Sequence, residues 1–219
     1  MSRIFLNVTL CALGLGLGLN TAAKAHPHVF VDASTGFVVS DDGALQALRI
    51  SWTYDAFTTL FLFDALDLDK DRDGALDEAD YAVIVQGETD WPPEYKGDVY
   101  LEVAGQDHPL GRPENAVASM ADNKITVAFD LPLAAPATLG EAEVILRLYD
   151  PGFYYDYTIL PASEDEGLPT GCKSELVSFK PDSMSSDMLI MLGTLSRDEM
   201  PAQDNVGRLF TDEVILTCG

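Results

Sequence analysis

The sequence predicts an α+β fold: a β-rich antiparallel body, sandwich or sheet, that carries a helix–loop–helix insertion. Three observations lead there. Apolar residues recur with period two, turn signals separate those runs, and two helix-compatible segments flank an acidic twelve-residue stretch. In chain order, "LRISWTY" places Leu48, Ile50, Trp52 and Tyr54 on one face and Arg49, Ser51 and Thr53 on the other. The same alternation recurs at Val99–Leu101–Val103, at Ile125–Val127–Phe129–Leu131 and at Val144–Leu146–Leu148. Turns are expected at "DDG" (41–43), "AGQD" (104–107) and "YDPGF" (149–153), the last a type II turn with Pro151 and Gly152 at its centre. Helices are expected over 55–66, with Asp55 as N-cap, over 77–86, with acids in the first turn, and over 186–195, packed on the sheet. The acidic stretch 161–171 reads as an exposed connection to a C-terminal segment, 161–219.

The first 25 residues read as a secretory signal. Arg3 supplies the positive start, the apolar run "IFLNVTLCALGLGLGL" is short and glycine-rich, and "AKA" offers small residues before a cut after Ala25. Cys11 lies in a poor lipobox, so no lipid anchor is expected. The mature form is then one exported, periplasmic domain, residues 26–219, with the helical insertion at 54–90. No later stretch is apolar for the twenty or so residues that a membrane helix needs, so the domain is not expected to be embedded.

Composition narrows the function. With 36 acids against 13 Lys and Arg the formal net charge is −23, and loss of Arg3 and Lys24 with the signal takes it to −25. Such a surface repels nucleic acid and favours cations. Two cysteines survive cleavage, Cys172 and Cys218. In an oxidising compartment they are expected to form one disulfide that pins "TDEVILTC" to "LPTGCKSE".

The acidic stretch "DKDRDGALDEAD" (69–80) matches a twelve-residue calcium loop of the EF-hand kind. Asp69, Asp71 and Asp73 occupy positions 1, 3 and 5, Gly74 the sharp turn, Ala75 the carbonyl position, Asp77 position 9 and Asp80 position 12. An aspartate at position 12 reaches the ion less well than the usual glutamate, which weakens calcium and narrows its advantage over magnesium. A single such loop in an exported protein reads as a permanent staple rather than a sensor.

Cleavage would also make His26 an amino terminus. Its α-amine, with an ordinary pKa of about 7.7–8.0, and its imidazole suit one transition metal. Pro27 has no amide proton, which closes the mode that ionises the second residue's amide, and it favours an extended chain. In extended chain His26 and His28 face the same side with Cα atoms roughly 6.6 Å apart. Asp32 shares that parity but lies roughly 13 Å beyond His28. His108, the remaining histidine of three, is the leading further ligand, with Asp55 or Asp150 behind it. Nitrogen ligands suit nickel, cobalt, zinc or copper.

Taken in order, "HPHVFVD" after a signal, "ISWTYDAF", "DLDKDRDGALDEAD", "YDPGFYYDY" and "LFTDEVILTC" resemble the exported family catalogued as domain of unknown function 1007. The resemblance covers nearly the whole mature chain. It implies a periplasmic component of an ABC-type transport system, often encoded near nickel/cobalt-type permeases, and so a membrane metal transporter as partner. His26, His28 and Asp69 to Asp80 carry over to the family pattern, whereas His108 does not. Solute-binding proteins for metals are larger and two-lobed, with alternating β and α elements that this chain lacks. It is better read as an accessory binder or chaperone. The alternatives are a calcium-stapled adaptor of a membrane complex and a copper oxidase built on the terminal histidine. "FYYDY" could line such a copper site, but alternating aromatics in a strand generally pack core and rim. No Ser–His or Cys–His arrangement indicates hydrolysis, and the expectation is a binding protein rather than an enzyme.

Overall fold

The computed structural model describes residues 27–161, 167–180, 186–196 and 199–219. The signal segment, His26 and residues 162–166 of the acidic connection therefore lie outside the described residues. Among the described residues ten strands form two five-stranded sheets. The first has the order β5-β6-β2-β1-β8, with β1 Val29–Val39, β2 Ala44–Tyr54, β5 Glu114–Ala121, β6 Lys124–Thr138 and β8 Tyr155–Ile159. The second has the order β4-β3-β7-β10-β9, with β3 Val99–Val103, β4 Gln106–Asp107, β7 Val144–Leu148, β9 Cys172–Val177 and β10 Glu213–Cys218.

Alternation sets the faces, and both sheets turn their apolar rows into one core. Leu48, Ile50, Trp52 and Tyr54 of β2 are buried with Ile125, Val127, Phe129 and Leu131 of β6, and with Leu146, Leu148 and Leu216 from the other sheet. Trp52 meets the ring of Phe129 edge-on at 4.9 Å, an arrangement that adds about 0.5–1.5 kcal/mol beyond area burial. All pairings are antiparallel except β1 with β8, where Val29 to Ala33 run parallel to Tyr155 to Ile159.

The helices α1 (Ala56–Ala65) and α2 (Glu78–Thr89) link the two sheets. Asp55 caps α1 by accepting from the N–H groups of Phe57 and Thr58 at 2.7 and 2.9 Å. Asp77 caps α2, and the Asp80 carboxylate reaches back to the Asp77 N–H, completing a capping box. Thr59 of α1 is buried and its hydroxyl accepts from the Ile125 N–H at 3.1 Å, which moors the helix to β6. Ile84 of α2 is fully buried in the shared core.

Two expectations are corrected. The turn after β7 closes with Phe153 N–H donating to the Asp150 carbonyl at 2.9 Å. Phe153 (φ 56°), not Gly152, takes the left-handed conformation, so the turn is not type II. Gly152 serves close approach instead: a Cβ there would meet the Met200 side chain at 2.2 Å. Helix α3 (Ser186–Thr194) leaves the main core and packs Leu192 with Phe153 and Val206 in a satellite cluster, because the 3-10 turn Val206–Phe210 offers it an apolar seat. The C-terminal segment joins the body of the fold, with β10 between β7 and β9 inside the second sheet. Cys172 and Cys218 are register partners on β9 and β10 and form the expected disulfide.

Candidate functional site: an acidic aromatic cavity beside the histidine segment

Residues 27–28 enter the fold at the head of β1. Both the His28 and Val29 N–H groups donate to the Tyr154 carbonyl, at 2.8 and 3.1 Å, and the His28 ring packs on the Tyr154 ring at 5.0 Å. Tyr154 is itself held by Asp150, whose Oδ2 accepts from its N–H at 2.6 Å. The segment is thus anchored to the start of β8 rather than trailing from the strand.

Tyr154 forms part of the wall of a cavity of about 520 Å³. It opens where the end of β2, the C-terminal turn of α2, the 90–98 connection and β8 converge. Among the described residues seven aromatic side chains and four acids line it, with no Lys, Arg or His. β2 delivers Trp52 and Tyr54, and α2 delivers Glu88, to which the Tyr54 hydroxyl donates. The Trp91 indole N–H donates to the Glu88 carbonyl at 2.6 Å, which folds the connection back over the helix end. Gly97 permits this: its φ is +70°, and a Cβ there would lie 2.1 Å from the Trp91 ring.

Asp98, 5% exposed, sits at the base. The hydroxyls of Tyr157 and Tyr95 both donate to its Oδ2, at 2.9 and 3.1 Å. Burial, together with the nearby Asp150 charge, pushes its carboxyl up to about 7, and the two tyrosine hydrogen bonds only partly oppose this. Burial likewise raises Glu88, opposed by its bond from Tyr54. The Tyr155 hydroxyl is raised to about 12, chiefly by burial.

Each of the further ligands expected for the histidine site has partners of its own. His108 follows β4 on the second sheet, and its Nε2 lies 2.8 Å from the Ala135 carbonyl. It lines a different hollow, shared with Lys96 and Arg112, whose charges disfavour a cation. Asp55 and Asp150 lie near the histidine segment, but both are capping groups. Asp55 binds Phe57, Thr58 and Phe30 N–H groups, and Asp150 binds those of Gly152, Tyr154 and Tyr155. Asp32 pairs with Lys124 at 3.3 Å.

In the acidic loop, Asp69, Asp71 and Asp73 bring carboxylate oxygens within 4.8 Å of one another. Among the described residues no other group of three or more acids, histidines or cysteines does so. The charge of Asp73 raises Asp71. Gly74, at φ +85°, makes the turn, and its N–H bonds Asp69. Asp77 and Asp80 stand apart as the reciprocal cap of α2, although Asp80 Oδ1 also accepts from the Asp69 N–H at 3.2 Å. Hard oxygen donors at this separation fit calcium or magnesium.

A model of the family described as "Protein of unknown function (DUF1007)" matches residues 11–218. The chain belongs to this family. An uncharacterized protein of Haemophilus influenzae is 21% identical over 212 residues, covering 94% of this chain and 98% of the relative. No helix among the described residues of this DUF1007 chain is long and apolar enough to cross a membrane. The cavity residues Glu88, Trp91, Tyr95 and Asp98 escaped the sequence reading. Their signal was the aromatic and acidic density of "ETDWPPEYKGDVY", set against "FYYDY".

Proposed function

We propose that this DUF1007 protein is an exported, non-catalytic accessory of a transition-metal transport or homeostasis system. In this reading a signal is removed after Ala25, and nickel, cobalt, zinc or copper binds the His26 amine and imidazole and the His28 imidazole. The membrane transporter is the partner that receives or delivers the metal. The observation that carries this reading is the anchoring of His28 to Tyr154, which gives a terminal chelate a fixed place on the fold. The neighbouring acidic cavity supports it by making the local field favourable to cations. In the same reading the 69–80 loop holds calcium or magnesium as a staple between α1 and α2.

The test uses mature protein that begins at His26, titrated with each metal, and the same protein with one methionine before His26. Affinity should fall in the extended form and in His28→Ala. Affinities unchanged by both would end the reading.

A second reading, an adaptor that docks on a membrane complex, is favoured by one specific feature. Phe57, Leu60 and Phe61 stand 86, 67 and 62% exposed at helical spacing on α1, beside the acidic loop. An apolar stripe of this kind marks an interaction surface. Replacement of the three by serine should leave metal binding intact and abolish co-purification with the transporter.

A further inference from the structure

We propose that the cavity between the end of α2 and β8 binds a small quaternary ammonium ion, of the choline class. This goes beyond the metal reading and does not depend on it. The cavity, at about 520 Å³, is of the size that encloses small molecules.

Its electrostatics are one-sided. Asp98 is buried, and no Lys or Arg pairs with it among the described residues. A buried carboxylate without a countercharge is costly, and two tyrosine hydroxyls recover only part of that cost. Glu88 adds a second acid in the last turn of α2, which holds no basic residue. The helix dipole makes that end a place for cations, so an acid there is disfavoured unless a cation joins it.

The walls select the type of cation. Trp52 and Trp91 stack at 6.1 Å, and Tyr95 meets Trp91 edge-on at 5.5 Å. Ring faces attract alkylammonium groups, whereas a strongly hydrated ion would lose its water here for little return. A directly coordinated metal fits poorly as well, since the cavity acids do not converge as Asp69, Asp71 and Asp73 do.

The experiment is calorimetry on the chelator-treated mature protein with choline, its neutral isostere 3,3-dimethylbutan-1-ol, and tetramethylammonium. Choline should bind saturably, with the isostere about tenfold weaker or worse, because it lacks only the charge. Tetramethylammonium, which keeps the charge, should also bind saturably. Affinity for choline should rise between about pH 6 and pH 8 as Asp98 ionises, and the rise should vanish in Asp98→Asn. No saturable binding by about 10 mM choline would overturn the proposal. Equal affinity for the isostere would do the same in wild-type protein, whatever the variant does. A methionine before His26 should leave choline binding unchanged, so loss of the metal reading and loss of this one are told apart.

Discussion

At the scale of single residues, Asp98 sets a pH dependence that runs against the usual behaviour of carboxylates. Its folded pKa lies near 7, while the unfolded chain releases the same proton at the ordinary 3.8. Between those values the native state holds more protons than the unfolded state, so stability falls as pH rises through that window. The slope integrates to at most about 4 kcal/mol for a shift of this size. Denaturant titrations at pH 5 and pH 8 should show wild type losing stability at the higher pH. Asp98→Asn, which can still accept from Tyr95 and Tyr157, should lose less; a loss equal to that of wild type would contradict this account. None of this was legible in the sequence. Asp98 gains its properties from Tyr157, Tyr95 and Asp150, which the chain supplies from two separate stretches and which meet only in the folded protein. His28 shows the reverse case: scarcity and the neighbouring proline singled it out, and the fold supplied its anchor on Tyr154.

At the scale of elements, the α1–loop–α2 unit was largely legible because its signals are local. Asp55 and Asp77 cap the helices where the residue types indicated, and Gly74 takes the positive φ that the loop pattern demands. The expected role of Asp80 illustrates how one side chain can be asked to do two things, since it already completes the cap of α2. Addition of about 10 mM calcium should stabilise the protein by about 1–3 kcal/mol if the site has the weak affinity of extracellular loops. The gain, read as a rise in Tm, should disappear in Asp69→Ala. Asp80→Glu keeps a capping residue and adds reach, so it should make calcium bind more tightly. What the local pattern could not show is which side of α1 faces the body. Phe57 reads as core from its type alone, yet the helix turns it outward and uses Thr59 for the buried contact.

At the scale of the molecule, the alternating strands were legible because each records the face it buries. Their partners were not, because strand pairing joins distant segments and leaves no mark on either. Thus β2 could be read residue by residue, while the parallel β1–β8 pair and the inner position of β10 required the structure. Arg147 on β7 adds a link across the second sheet, pairing with Glu102 of β3 and Glu213 of β10 at 2.6 and 2.7 Å. The disulfide closes a separation of 46 residues between β9 and β10, and its loss should cost about 4 kcal/mol on the chain-entropy account. Cys172→Ser with Cys218→Ser should therefore show a lower denaturant midpoint, and reduced wild type should match it. The place of β10 also governs timing. Until residues 213–218 leave the ribosome, β7 and β9 have no strand to bridge them, and that sheet cannot close.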